Sequence, residues 1–220
     1  MGLNKSKGNM YPFVNSTYNT VKGLCSHDCS YCYMKRWKNQ KAVRFDEKEL
    51  KTDLGRGNFI FVGSSNDLFA ESINSEWISK TLEHCSKFNN KYLFQSKNPE
   101  RMKDFINEFP EDTVLCTTIE TNRYFPNIMQ NAPLPEERAK AMASIIEFEK
   151  HITVEPILRF DLVELVELIR SCSVSQVNIG ADSGGHHMPE PSKEHVVALI
   201  QQLEQFTNVY QKKNLKRLLK

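Results

Sequence analysis

The stretch KGLCSHDCSYCYMK places three of the chain's six cysteines within eight residues. Cys25, Cys29 and Cys32 are separated by three and then two residues, so one loop can bring their thiolates to a single compact inorganic centre. A 4Fe–4S cluster has four irons, each usually bound by one cysteine. Three cysteines would leave one iron open to a small molecule, and an open coordination position is typical of catalytic rather than structural metal sites.

Structural zinc is the alternative for these three thiols. The fourth ligand would then be His27 or a distant histidine, and the only clustered histidines are His186 and His187, far along the chain. Zinc sites usually come as two pairs of ligands, and no second pair stands out in this sequence. We therefore favour an iron–sulfur cluster, with a zinc-stabilised binding module without catalysis as the alternative.

The composition indicates one sizeable, nearly neutral domain over residues 1–220, with a Lys/Arg-rich segment at about 205–220 that is typical of a solvated helix end or tail. The net charge of +2 neither requires nor excludes a nucleic-acid partner. The sequence has no apolar leader and no apolar stretch of about 18 residues, so we expect a cytoplasmic protein without a membrane span. In such a reducing compartment, clustered cysteines are more often metal ligands or catalytic groups than disulfides.

Short apolar runs alternate with amphipathic segments along the chain. The runs predicted as strands are TYNTV, NFIFVG, KYLFQS, TVLCTTIE, HITVEPIL and VSQVNIG, and helical patterns follow most of them. This order predicts a single α/β domain with about six βα units and a parallel sheet. A complete eight-fold barrel typically needs about 250 residues, so we favour a partial (βα)6 TIM-like barrel over a doubly wound open sheet. In either topology the functional site lies at the C-terminal ends of the strands, and the cysteine loop follows the first strand.

The pattern Cys25-x-x-x-Cys29-x-Tyr31-Cys32 resembles the signature of radical S-adenosylmethionine (SAM) enzymes. With GNMYPF, IFVGSSNDLF, TTIETN, APLPEER, VEPIL and VNIGADSGG, it resembles a compact radical SAM family of phages and bacteria that is distantly related to spore photoproduct lyase. The resemblance extends from about Gly8 to Leu215. It implies a partial (βα)6 barrel, an oxygen-sensitive 4Fe–4S cluster, SAM, and a one-electron reductant of the flavodoxin or ferredoxin type.

The resemblance also implies a SAM site around the cysteine loop. A polar turn after the second strand is expected to receive the methionine amino group, because hydroxyl, amide and carbonyl oxygens accept hydrogen bonds from an ammonium. The family pattern at this turn often has two glycines and a glutamate, whereas this chain has GSSND. The residues expected to contact SAM are Tyr31, Gly63, Ser64, Ser65, Asn66, Thr118, Glu120, Glu155 and Asp182. For Glu120 and Glu155 the alternative is pairing with a lysine or capping a helix, and for Asp182 it is a surface turn.

The other three cysteines are assigned from their position in the predicted elements. Cys116 alternates with Thr118 and Glu120 on one face of a strand, which makes it a candidate hydrogen-atom donor near a substrate radical. An inert core thiol is the alternative. Cys85 and Cys172 fall on apolar helical stripes and are predicted to be core thiols.

The substrate expectation rests on the resemblance. In the implied reaction, one electron from the cluster cleaves SAM, and the resulting 5′-deoxyadenosyl radical abstracts a hydrogen atom from the substrate. The kinship with the photoproduct lyase favours a nucleotide or nucleic-acid base, with Lys97, Arg123 and Lys212 as possible ligands of its phosphate. A small metabolite or a peptide is the alternative substrate.

Overall fold

The computed structural model describes residues 3–6, 8–37 and 39–220. Its main sheet contains strands β1, β2 and β5 to β10, in that spatial order, and a small second sheet pairs β3 with β4. The strands are β1 Asn4–Lys5, β2 Ser16–Tyr18, β3 Val21–Lys22, β4 Arg44–Phe45, β5 Phe59–Val62, β6 Lys91–Gln95, β7 Thr113–Thr118, β8 Glu149–Val154, β9 Gln176–Ile179 and β10 Asn208–Gln211. Neighbouring strands from β2 to β10 run parallel, and β1 is antiparallel to β2.

The helices are α1 Ser75–Ser86, α2 Pro99–Met102, α3 Pro126–Met129, α4 Pro135–Ser144, α5 Leu162–Ser171 and α6 Lys193–Leu203. The longer helices follow the sequence pattern, whereas the short helix α3 was not predicted. Helix α5 buries an apolar stripe formed by Leu165, Val166 and Ile169. Within the part of the chain that the structure describes, each helix is too short or too polar to span a membrane.

Side chains on successive positions of a strand point to opposite faces of the sheet, and here the two faces have different neighbours. Tyr92 and Phe94 of β6 pack in the large core beneath the helices. Leu93 lies between them and joins a small separate cluster with Tyr11 and Cys116. The helices therefore cover one face, and the other face encloses an interior partly filled from the N-terminal segment. This arrangement confirms the barrel-like α/β prediction rather than a doubly wound sheet, which carries helices on both faces.

The C-terminal segment differs from its prediction. We expected a solvated helix end or tail at about 205–220, but this segment contains β10 and a 3₁₀ helix, Lys213–Leu218. Lys212 and Leu215 are buried, and Val209 packs against the main core. The described residues thus form seven parallel strands rather than six. Strand β10 was not predicted because a short strand with only one or two apolar residues has too weak a pattern to be separated from a basic tail.

Candidate active site

A cavity of about 630 Å³ opens at the C-terminal ends of the parallel strands. Cys25, Cys29 and Cys32 all line it. The polar turn 63–66 lies in the same wall, and so do Tyr31, Thr118, Glu155 and Asp182. The tertiary structure therefore brings together the cysteine loop and nearly all the residues expected to contact SAM. Glu120 and Cys116 do not line the cavity and lie behind its wall.

The cysteine loop is fixed to three other parts of the chain. At its start, the Leu24 amide donates to the Lys41 carbonyl at 3.0 Å. The side-chain amide of Asn66 donates to the Gly23 carbonyl at 2.9 Å, which joins the loop to the polar turn. Further along, the Ser30 amide donates to the carbonyl of Ile128 at 3.0 Å. These contacts hold the three cysteines against the cavity before any ligand binds.

The three thiols are not arranged around a single ion. Within residues 3–6, 8–37 and 39–220, no group of three or more histidine, cysteine, aspartate or glutamate side chains is placed to hold one metal ion. A 4Fe–4S cluster binds its cysteines through different irons, so its ligands can stand farther apart than those of one ion. Three thiols on one wall of a roomy cavity fit such a cluster, and their assignment to it stays a prediction.

Burial keeps two of these thiols protonated in the metal-free chain. It raises the pKa of Cys25 to about 11. It also raises the pKa of Cys29, although the nearby cations Lys97 and Arg138 act in the opposite direction. Because thiolates are the metal-binding form, loading a metal centre here must release protons.

Gly23 sets the path into the cysteine loop, and its replacement gives a first prediction. The backbone at Gly23 has a φ of +105°, and a Cβ atom there would lie 2.4 Å from the Ala42 carbonyl oxygen. We expect Gly23→Ala to lower the free energy of unfolding by more than the ~1–3 kcal/mol of a strained backbone alone, because the neighbouring backbone must also move. Urea unfolding of the purified protein measures this loss.

Gly57→Ala is the matched control for that experiment. Gly57 also has a positive φ of +70°, but a Cβ atom there would meet no described atom within 4 Å. Its substitution should therefore show the cost of the backbone conformation without the clash. Equal losses for the two variants would contradict the proposed close approach at Gly23.

Asp67 connects the cysteine loop to the next two strand ends. One carboxylate oxygen is 2.9 Å from Nε2 of His27 and accepts the Lys97 amide at 2.8 Å. The other accepts the Phe69 amide at 3.0 Å. Burial alone would raise the pKa of Asp67, but its hydrogen bonds, the one with His27 foremost, hold the pKa below its usual value. His27, considered above as a zinc ligand, is thus paired with a carboxylate.

Glu120 is at the centre of a buried cluster of charges behind the cavity wall. Its carboxylate accepts from Arg138 at 2.8 Å, and it also contacts Lys97 and the Tyr31 hydroxyl. The Glu120 and Arg138 side chains are 0% exposed, and that of Lys97 is 14% exposed. Burial would raise the pKa of Glu120, but the two cations outweigh it and lower the pKa to about 2. The carboxylate is therefore ionised and anchors Tyr31, the aromatic residue before the last cysteine.

Glu155 is held in a second polar cluster at the end of β8, the strand next to β7. Lys212 donates to it at 2.5 Å, and the side-chain amides of Asn9 and Asn214 donate at 2.7 and 2.8 Å. A Cβ atom at Gly180 would lie only 2.6 Å from the carboxylate, so the glycine provides the space in which this cluster forms. Both glutamates thus pair with a lysine, which is one of the alternatives considered above.

The polar turn contains an unused hydrogen-bond acceptor. Asn19 holds the turn in place, since its side-chain oxygen accepts the Ser65 amide at 2.9 Å and its amide group contacts the Ser64 hydroxyl at 3.1 Å. Asn66 is 5% exposed, and its Oδ1 is buried without a hydrogen-bond partner among the described residues. A buried acceptor without a partner is costly, and this one belongs to a residue that lines the cavity.

A family model with the description "Protein of unknown function (DUF5131)" matches residues 9–213. The chain belongs to the DUF5131 family. The matched range begins at Asn9 and ends just after Lys212, so it contains the Glu120 cluster and nearly all of the cavity wall, while Gly8 and Asn214 lie just outside it. A comparison of this DUF5131 sequence with curated proteins found no match.

Solved structures share the fold of this DUF5131 protein. A spore photoproduct lyase variant with bound AdoMet and dinucleoside spore photoproduct matches with a TM-score of 0.70 at 13% identity, over 96% of this chain and 80% of that chain. Streptococcus suis SuiB bound to S-adenosylmethionine matches with a TM-score of 0.61 at 8% identity, over 89% and 49%. SuiB bound to precursor peptide SuiA gives a TM-score of 0.61 at 10% identity, over 89% and 48%. These matches confirm the expected fold.

Asp182 lies in the cavity wall of the DUF5131 chain with a side chain that is 3% exposed. Its carboxylate accepts the Gly184 amide at 3.0 Å and lies 2.7 Å from Nδ1 of His186. Burial would raise the pKa of Asp182, but these hydrogen bonds lower it. The carboxylate therefore shapes its own loop, and the Asp182 contact with SAM stays a prediction.

The remaining sequence candidates lie farther from the cavity. Cys116 is fully buried in β7, 3.6 Å from the Thr153 hydroxyl, and burial raises its pKa to about 12. Cys85 and Cys172 are in the main core, as predicted. Arg123 lies away from the cavity and forms a bidentate ion pair with Asp161, in which its Nε donates to a carboxylate oxygen at 2.8 Å. Its expected role as a phosphate ligand has no support in this position.

Sequence reasoning did not identify Arg138 as part of the site. It reaches Glu120 from α4, where it precedes the buried Met142 by four residues and so lies on the same helical stripe. A charged residue on an otherwise apolar stripe is the signal that could have found it, because such a residue is rarely buried without a partner. Asn9 and Asn214 had no comparable signal, since asparagine is common in loops.

Proposed function

We propose that this chain is a radical SAM enzyme in which Cys25, Cys29 and Cys32 hold a 4Fe–4S cluster. The observation that carries the proposal is the convergence of these three thiols and the polar turn, with the unpaired Asn66 oxygen, on one cavity at the C-terminal strand ends. The shared fold with spore photoproduct lyase, which binds AdoMet, supports the same function. When bound, the cluster and SAM supply a 5′-deoxyadenosyl radical that abstracts a hydrogen atom from the substrate.

The residues of the chain bind and orient in this proposal. Asn66 and the hydroxyl groups of the turn accept hydrogen bonds from the methionine ammonium of SAM. Tyr31, held by Glu120, and Thr118 line the wall beside it, with Glu155 and Asp182 on the far side. The cavity walls exclude water and oxygen from the reacting groups. Cys116 would donate a hydrogen atom only if the small core cluster around it opens, since it does not line the cavity.

The substrate in this proposal is a nucleotide or nucleic-acid base, and the electron comes from a flavodoxin- or ferredoxin-type reductant. The test of the proposed function is anaerobic purification and reconstitution with iron and sulfide, followed by reduction in the presence of SAM. A brown protein that forms 5′-deoxyadenosine supports it. A colourless protein that carries stoichiometric zinc overturns it in favour of a zinc-stabilised binding module.

Substitution of Asn66 tests the SAM contact separately. Hydrogen bonds to charged groups contribute ~1.5–3 kcal/mol, so we expect Asn66→Ala to weaken SAM binding by about ten-fold or more. Asn66→Asp keeps an acceptor oxygen opposite the ammonium and should retain binding. Both variants lose the bond to the Gly23 carbonyl, so equal losses of SAM affinity, measured by calorimetry, would mean that Asn66 acts only on the loop.

A further inference from the structure

Two exposed aromatic side chains follow the last cysteine: Tyr33, which lines the cavity together with Arg36, and Trp37, which packs against both of them. Tyr33 and Trp37 are 42% and 52% exposed. The guanidinium carbon of Arg36 lies 5.5 Å from the centre of the Tyr33 ring and 4.9 Å from that of the Trp37 ring. We call Tyr33, Arg36 and Trp37 the mouth stack. It presents large planar surfaces to solvent at the entrance of a site otherwise lined by the barrel.

Contacts within the protein hold the side chains of the mouth stack in place. The Tyr33 hydroxyl donates to the Ser64 carbonyl at 2.5 Å, which fastens the stack to the polar turn. The Nε of Arg36 donates to the Tyr33 carbonyl at 2.9 Å. The two rings pack edge to face with centres 6.0 Å apart. Groups ordered in this way lose less conformational freedom on binding a ligand.

Arg36 also differs from the other cations of the cavity wall. Lys35 pairs with Asp28 at 2.6 Å, Lys212 pairs with Glu155, and Lys97 pairs with Glu120. Within the described ranges 3–6, 8–37 and 39–220, Arg36 forms no ion pair, so its charge is not neutralised by the protein. The entrance therefore combines one free guanidinium with two exposed aromatic rings.

We propose that the mouth stack binds an unpaired nucleobase and one adjacent phosphate, as part of a single-stranded nucleic acid or a free nucleotide. This inference rests on the proposed function and specifies the substrate class of the same site. Aromatic side chains stack on every base, because each base has a planar π face. A guanidinium matches the geometry of a phosphate and can bind it through two hydrogen bonds.

The same features argue against a duplex held by its backbone. Such binding requires several free cations along a groove, whereas the cavity wall has one within the described residues. A base that enters a cavity of this size must first leave its pair and its stack. A single phosphate contact predicts a weak salt dependence, with a log–log slope of about −0.7 for a single strand.

The experiment uses the reconstituted protein with SAM and three fluorescein-labelled probes. These are a five-nucleotide single-stranded DNA, the same sequence as RNA, and the DNA sequence closed in a duplex hairpin, each measured by fluorescence anisotropy over a salt series. Free mononucleotides compete in the same assay. We expect the single strands to bind, and comparison of the DNA and RNA probes shows which nucleic acid is preferred. The plot of log affinity against log salt concentration should have a slope of about one or less in magnitude. Tighter binding of the hairpin, or a slope of several units, would overturn the proposal.

Variants of the stack test its residues. Trp37→Ala removes a stacking surface for the base and should weaken single-strand binding by about ten-fold. Arg36→Ala removes the phosphate contact and should weaken binding by about the same factor and remove most of the salt dependence. Arg56→Ala is the control, since Arg56 is exposed in the loop before β5, at the other end of the barrel. Unchanged affinity in both stack variants would refute the assignment.

Failure of this inference can be separated from failure of the proposed function. Iron and sulfide content and 5′-deoxyadenosine formation are measured on the same samples. A protein that loads its cluster and cleaves SAM but binds none of the probes, even at low salt, overturns the nucleobase site alone. If the cluster does not load, the binding assay is performed on the cluster-free protein. Loss of probe binding in Trp37→Ala would still support the nucleobase site in that case.

Discussion

The Cys29→Ala protein should contain no 4Fe–4S cluster after anaerobic reconstitution and should form no 5′-deoxyadenosine from SAM. Cys29 is the most enclosed of the three clustered cysteines, at 5% exposed, and its thiol lies 3.8 Å from the Met129 carbonyl. Alanine would leave two thiols for a centre that already has one iron without a protein ligand. Iron and sulfide analysis, with the visible absorbance of the reconstituted protein, measures the loss.

Cys172→Ala is the control for this substitution. Cys172 is also a buried cysteine, but it contacts the Ala139 and Leu168 carbonyls in the helix layer, away from the cavity. Its variant should bind iron and sulfide as the unsubstituted protein does. A full complement of iron and sulfide in Cys29→Ala would show that this cysteine is not a ligand and would remove the basis of the proposed function.

Glu120→Gln is expected to be the most destabilising single substitution of a charged residue in the site. It leaves Arg138 and Lys97 buried without their shared carboxylate, and breaking a buried ion pair from one side costs about 3–5 kcal/mol. The glutamine keeps the size of the side chain, so the loss reports the charge rather than a cavity. The free energy of unfolding in urea gives the measurement.

Two further variants identify the origin of that loss. Glu167→Gln removes the acid of an exposed pair with Arg170 on α5, and surface pairs of this kind contribute little, so its stability should not change measurably. Adding Arg138→Met to Glu120→Gln removes one of the uncompensated cations and should restore part of the lost stability. Without any such recovery, the loss would have to come from Lys97 or from the Tyr31 contact, and not from Arg138.

The sequence by itself determined the order of most elements and the position of the cysteine loop. Strand and helix patterns depend on the alternation of apolar residues over a few positions, which the chain carries locally in β5, β6, α5 and α6. The Cys25–Cys29–Cys32 spacing is also local, and the parallel topology then places it at the end of the sheet where sites form. For these reasons the barrel-like fold and the location of the cavity followed from the sequence.

The tertiary structure decided which polar groups are already paired. Glu120 and Glu155 look alike in the sequence, as single carboxylates near strand ends, yet each is neutralised by a lysine more than 20 positions away, Lys97 or Lys212. Arg36, by contrast, follows the cysteines like any other surface arginine and has no ion-pair partner among the residues that the structure describes. Ion pairs over such separations depend on how the βα units curve around one another. That curvature comes from packing of the whole core, which no local pattern encodes.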